Sequence, residues 1–414
     1  MTEHLQNQEL LTKHQHGFLK GRSTLSALVS LVEFVTDQLE DNKLVAAVMV
    51  DYSKAFDCLG HDLILTKLAT LGVRGRSGNW IASYLEGRQQ LVELQTTTNG
   101  KKTSFKSTFQ PSNRGVPQGS VLGPFLFVLF TNDFPNSINY NSVMYADDTT
   151  LLLTTSTAEE LHSDIISSTQ ETLHYCLQND LVINPKKTTC INFSRRLDEI
   201  PKIPDLLVEK EAKLLGVTID SDLSWTTHVN NLSKKLASGV FVVRRMKWIG
   251  GLDIAKAAYY ALIESHIRYG LTVWGGTTKQ NLNRILVLQK KAIRTLADLK
   301  PTESCRESFK ALGILTVISL YIHTVVTHTH QQDYRRGENI HHYNTRRAKD
   351  YILPLHHTTQ YSKKPSYIGR KLYNALPESL KNLNTQQLKR QLQDWLVERP
   401  LYTLEEFFTM TQTY

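Results

Sequence analysis

The chain has 414 residues, of which 41% are hydrophobic and 21% charged, and carries a formal net charge of +9. That length and apolar content imply a sizeable core and two or more domains. The longest apolar run, residues 121–130, is broken by Gly123 and Pro124 and falls well short of the ~20 residues of a membrane span. No signal-peptide pattern opens the chain, and four scattered cysteines without a CxxC pair exclude a disulfide framework and a zinc site. The expectation is a soluble, intracellular protein.

The charge divides unevenly. Residues 1–224 carry 20 Lys and Arg against 26 Asp and Glu, a balance of −6; residues 225–300 carry 13 against 3, or +10; residues 301–414 carry 15 against 10, or +5. An acidic front half followed by a strongly basic middle suits a protein that gathers cations in one place and a polyanion in another, although a solvated basic surface gives the same sum.

In chain order, Ser23 and Thr24 can cap a helix whose apolar positions Leu25, Leu28, Val32, Val35 and Leu39 recur at helical spacing. The run LVAAVMV, 44–50, is unbroken and rich in valine, as expected of a strand covered on both faces. Asp51 follows at once, at the strand's carboxyl end, where open α/β sheets commonly place their ligands. Helices are expected over 61–71 and 78–88, then a short polar hairpin over 89–109 whose loop is marked by Lys101, Lys102 and Lys106. The stretch SNRGVPQGSVLGPFLFVLFTNDF, 112–134, opens as a glycine-rich loop and continues as an apolar helix. Gly115 and Gly119 remove side chains where another backbone or a base pair could come close, with Gln118 supplying donors and acceptors between them; an ordinary turn uses the same residues.

The stretch SVMYADDTTLLL, 142–153, reads as a β-hairpin with arms 143–146 and 149–153 and with Asp147 and Asp148 at or near the bend. Alone, such a pair is more often a solvated turn. The combination says more. A buried strand ending in Asp51, a glycine-rich loop with Gln118 and a hairpin carrying two aspartates follow one another, and carboxylates from two strands can hold two Mg²⁺ ions about 3.5 to 4 Å apart for in-line phosphoryl displacement. A two-metal nucleotidyl transferase is the natural inference.

Six motifs then stand in a telling order: QHGFLKGRST (15–24), VDYSKAFD (50–57), RGVPQGSVLGP (114–124), YADD (145–148), LVINPKKT (181–188) and KLLGVTID (213–220). They resemble the last fingers motif, palm motifs A, B, C and D, and the primer grip of the reverse transcriptases of non-LTR (LINE-type) retrotransposons, in particular the jockey-like elements. SHIRYGLTVWG and LQKKAIRTL resemble the thumb of these elements, and YNTRRAKD and YIGRKLYNALPESLK their carboxyl-terminal segment. The resemblance implies an α+β right-hand polymerase: partial fingers over 1–42, an RRM-like palm of antiparallel sheet and helices over 43–222, a helical thumb over 223–300 and a mixed carboxyl-terminal segment over 301–414.

It also implies roles. Asp51 and Asp147 would bind two Mg²⁺ (Mn²⁺ being an alternative), with Asp148 as supporting carboxylate, while a DNA primer on an RNA template attacks the incoming dNTP. Phe56 would be a steric gate against a ribose 2′-hydroxyl, or else a core aromatic. Gln118 and Gly119 would lie along the nascent base pair and template. Lys187 would protonate pyrophosphate, its neighbour Lys186 leaving the choice open, and Arg22 would contact the triphosphate, or be a surface arginine near a helix start. In the basic region Leu282, Ile285, Leu286, Gln289, Ala292, Ile293 and Leu296 form a helical stripe. Lys290, Lys291 and Arg294 are left toward another face, for phosphates.

The family's upstream fingers strands, endonuclease and CCHC knuckle have no counterpart in these residues. The expectation is therefore an amino-terminally truncated copy, a partial gene model or a decayed element, acting in the nucleus at the site of integration and within a ribonucleoprotein of the element's RNA. The alternative is a non-catalytic nucleic-acid-binding remnant. Past 301, an apolar helix-like run covers 312–326 and a final helix 386–397, and His328, His330, His341 and His342 lack regular ligand spacing, which favours a polar linker over a metal site.

Overall fold

Seven apolar residues without a turn former make Leu44–Val50 (β1) a strand, and all seven are buried. The structure, a computed structural model, describes residues 2–98, 100–194, 206–337 and 348–412. The chain falls into two compact units, one of residues 1–27, 45–192 and 197–209 and the other of residues 28–44, 193–196 and 210–414. The stretches before and after residue 300 share the second unit.

Helix α1 (Thr24–Glu40) opens on Ser23, whose hydroxyl accepts the Ser26 amide. Past β1 come α2 (His61–Thr70) and α3 (Gly75–Leu85). The latter starts three residues before the expected position because its first turn, Gly-Arg-Ser, carries no apolar signal. The polar hairpin β2 (Glu93–Thr98) and β3 (Lys101–Lys106) is exposed throughout. After the glycine-rich loop, α4 (Leu122–Phe130) buries Leu126 to Phe130. Strands β4 (Asn141–Tyr145) and β5 (Asp148–Thr155) form the acidic hairpin. Helix α5 (Ala158–Gln178) starts on a Thr157/Glu160 capping box and buries Leu161, Ile165, Tyr175 and Cys176.

With β6 (Thr189–Asn192) and β7 (Leu207–Glu209) the sheet is complete, in the order β4-β5-β1-β6-β7. β1 therefore lies between the acidic hairpin and β6, covered on both sides, and its aliphatic side chains each stabilise the unit by about 1.5–3 kcal/mol. Lys67 on α2 is part of the support behind the sheet, its ammonium donating to the Phe130 carbonyl at 2.8 Å, the Asp133 carboxylate at 2.8 Å and the Tyr175 hydroxyl at 3.1 Å.

The longest stretch of the second unit, from residue 210 on, opens with a hairpin, β8 (Glu211–Leu214) and β9 (Val217–Asp220). The long helix α6 (Thr226–Tyr259) follows, interrupted at Gly251 where φ is 75° and ψ −163°. Helix α7 (Lys279–Leu296) buries all seven residues of its expected stripe. Helix α8 (Val317–His330) is capped by Thr316. It starts later than the apolar run suggests because Gly313, at a φ of 67°, ends the preceding helix Arg306–Leu312. Helices α9 (Pro365–Asn374) and α10 (Thr385–Val397) complete the part used below.

The acids of α1 belong to this unit. Glu33 accepts the Ser366 amide at 2.6 Å and lies 3.2 Å from the buried Lys364 ammonium, which also pairs with Asp37; Glu40 accepts the Thr358 amide at 3.0 Å. Among the described residues no single helix is long and apolar enough to cross a membrane. His341 and His342 lie outside the described residues.

Candidate active site

The acidic hairpin turns in two residues. Tyr145 pairs with Asp148, so Ala146 and Asp147 make the bend and Asp148 is the first residue of β5. The bend is one residue earlier than the arms read from the sequence. Ala146 takes a φ of 55°, a conformation that costs a non-glycine residue roughly 1–2 kcal/mol and that suits the sharp reversal of a two-residue hairpin loop.

Asp51 directly follows β1, the strand beside β5 in the sheet. Its backbone is zipped to the 181–188 segment: the Ser53 amide donates to the Val182 carbonyl at 2.7 Å and the Asn184 amide to the Asp51 carbonyl at 2.8 Å. That pairing carries the Lys187 ammonium to 3.7 Å from the Asp51 carboxylate. Burial and then the Asp51 charge raise the proton affinity of Asp147. Burial, then Asp147, then Asp51 push Asp148 up to about 6. The structure thus brings Asp51, Asp147, Asp148 and Lys187 into one electrostatic neighbourhood. Three carboxylates against one exposed ammonium leave it short of positive charge, since an exposed pair of this kind contributes only about 0.2–1 kcal/mol.

Carboxylates are hard oxygen donors and fit a divalent cation chemically. Among the described residues, no group of three or more His, Cys, Asp or Glu is gathered closely enough to enclose one as placed.

The other expected residues divide. Phe56 stacks on Phe127, ring centroids 4.5 Å apart, and is only half buried. Gln118 is exposed and its amide donates to the Asp57 carboxylate at 3.0 Å. Gly119 has a φ of 79° with open space where a side chain would stand, whereas a Cβ on Gly115 would come within 2.8 Å of the Asp57 Cα. With the Val116 amide on the Phe56 carbonyl at 2.8 Å, the glycine-rich loop is lashed to the segment that follows Asp51. Arg22 faces inward to its own chain: its Nη1 donates to the carbonyls of Thr12, Lys13 and Gln15.

In the second unit, Lys291 is exposed on α7. Lys290 instead lies over the Tyr402 ring, 3.6 Å from its centroid, with Arg306 on the same ring, and burial lowers its proton affinity. Arg294 donates to the Glu303 carbonyl at 2.8 Å. Of the three, Lys290 and Arg294 are engaged by neighbours within the unit and Lys291 is exposed.

Sequence reasoning gave no role to Gln15 or Gly17. Gln15 is 1% exposed and bonds the bend at Ala146. A glutamine two residues before a glycine is too common a pattern to reveal this.

Residues 1–219, more than half of the chain, match the family described as "Reverse transcriptase (RNA-dependent DNA polymerase)". The chain is 28% identical over 309 residues to the probable RNA-directed DNA polymerase from transposon BS of Drosophila melanogaster, covering 70% of this chain and 33% of that protein. It is 27% identical over 305 residues to the RNA-directed DNA polymerase from mobile element jockey of the same species, covering 69% and 32%. The chain thus spans about a third of the length of the curated relatives it matches. Among solved structures it is similar to apo telomerase from Candida tropicalis, at 13% identity and a TM-score of 0.41, covering 78% of this chain and 53% of that one.

Proposed function

The chain belongs to the reverse transcriptase (RNA-dependent DNA polymerase) family, and from that premise we propose that it is the polymerase portion of a non-LTR, jockey-like retrotransposon protein, extending a DNA primer on an RNA template with dNTPs. The observation that carries the reading is the set of Asp51, Asp147 and Asp148, brought together by adjacent strands and the bend, with the proton affinity of both hairpin acids raised by burial and then by neighbouring carboxylate charge. The family generally uses divalent metal ions. In this chain Asp51 and Asp147 would hold two Mg²⁺, or Mn²⁺, with Asp148 in support. When bound, the ions would acidify the primer 3′-hydroxyl and neutralise the leaving pyrophosphate.

The remaining chemistry belongs to the chain. Lys187 is tethered beside Asp51, within reach of a proton transfer to pyrophosphate. Phe56 presents a half-buried ring that would exclude a 2′-hydroxyl, and Gln118 and Gly119 offer an open, side-chain-poor edge to the nascent base pair. Exposed cations such as Lys291 would hold the duplex by its phosphates without reading sequence. Action in the nucleus at the integration site, within a ribonucleoprotein of the element's RNA, accompanies this reading.

Primer extension by the purified chain on poly(rA)/oligo(dT) is the test. Incorporation by the parent that disappears in Asp147→Ala is expected. Tight duplex binding with no incorporation by the parent would instead establish a nucleic-acid-binding remnant.

A further inference from the structure

The acidic hairpin is gripped from outside the sheet. The segment before α1 runs alongside β4: the His16 amide donates to the Met144 carbonyl at 2.7 Å and the Met144 amide to the His14 carbonyl at 2.9 Å, a parallel bridge between Gln15 and Met144. From it the Gln15 side chain reaches the bend. Its Oε1 accepts the Ala146 amide at 2.8 Å and the Gly17 amide at 2.7 Å, and its Nε2 donates to the Ala146 carbonyl at 3.3 Å. Two backbone N–H groups converging on one atom fix that atom as oxygen, so the orientation of the amide is set by its partners.

Both polar groups of Ala146 are therefore held by one buried side chain. This matters because Ala146 lacks the freedom of glycine at its φ of 55° and is covalently joined to Asp147. Gly17 lets the two backbones meet: a Cβ there would stand 2.4 Å from the Ala146 nitrogen. Arg22 in turn anchors the segment through the Gln15 carbonyl.

We propose that Gln15 is a positioning residue for the acidic hairpin: its carboxamide locks the bend at Ala146 so that Asp147 and Asp148 are presented to divalent cations beside Asp51. The proposal rests on the polymerase reading above but acts one step behind the chemistry. Buried against the bend, Gln15 touches no reacting atom.

The test compares Gln15→Met with Lys67→Met, which loosens the same unit away from the hairpin. In Gln15→Met the kcat for primer extension should fall by about 10²-fold, with KM for dNTP and affinity for primer–template within about 2-fold of the parent. Half-saturating Mn²⁺, titrated without nucleotide, should rise by about 10- to 100-fold. Amide hydrogen exchange across residues 144–148 should quicken in Gln15→Met and stay at the parent rate in Lys67→Met. A kcat loss no greater than that of Lys67→Met, or an equal loss in primer–template affinity, would overturn the proposal. If the parent incorporates nothing, the polymerase reading fails by itself, and the Mn²⁺ and exchange measurements still decide Gln15: both unchanged sinks it, both altered upholds it.

Discussion

The acidic hairpin of the first unit and the basic helix α7 of the second carry opposite charges and treat them in opposite ways. Asp147 and Asp148 stand beside Asp51 with Lys187 as a loose counter-charge at 3.7 Å from Asp51, and burial, followed by the neighbouring carboxylate charge, raises their proton affinity. Lys290 and Arg294 are already engaged, one over the Tyr402 ring and the other on the Glu303 carbonyl. The formal sum is larger in the basic region, yet the acidic one has more unmet demand for a partner. Charge count measures how much a region could attract, and packing decides how much of it is still available.

The contrast can be tested by removing its parts. The largest effect is expected for Asp147→Asn, which should lower primer extension by about 10³-fold while leaving duplex affinity near that of the parent. Next is Gly17→Ala, whose new Cβ would meet the Ala146 nitrogen at 2.4 Å; overpacking of that kind costs about 1–3 kcal/mol, readable in denaturant unfolding. On the basic side, Lys291→Met should reduce the slope of log affinity against log salt by about 1. Lys290→Met should leave that slope unchanged and instead destabilise the fold by about 0.5–1 kcal/mol through loss of the Tyr402 contact. Equal slopes for the two variants would erase the distinction between engaged and available lysines.

The smallest effect concerns pH. Asp148 titrates at about 6 in the fold against its ordinary 3.8, so between those values the native state holds more protons than the unfolded chain. Stability therefore falls as pH rises through that window and is lowest above it. Asp148→Asn should be more stable than the parent at about pH 7.5 in chelator, by about 1 kcal/mol once solvent screening of a carboxylate that is only partly withdrawn from water is allowed for, and the gain should vanish toward about pH 4.

Elements with a strong local signal were readable from the residues: the unbroken run of β1, the stripe of α7 and the adjacent acids of the hairpin. Two of the features missed depend on partners far along the chain. A stripe on α7 marks the buried face but cannot show that Lys290 lies under Tyr402, more than a hundred residues later. The bend falls on Ala146 and Asp147 rather than on the two aspartates because Gln15, from a distant segment, stabilises a φ that alanine alone disfavours. Arg22, read either as a triphosphate contact or as a surface arginine near a helix start, donates to carbonyls of its own loop, an arrangement set by the local backbone rather than by the type of side chain.

The bonds between α1 and the segment 358–366 set an order of events during synthesis. Glu33, Asp37 and Glu40 leave the ribosome before Thr358, Lys364 and Ser366, which emerge over three hundred residues later. The carboxylates of α1 must wait for that stretch to be made before they are matched, so a nascent chain halted short of Thr358 would expose an unfinished surface to chaperones and proteases.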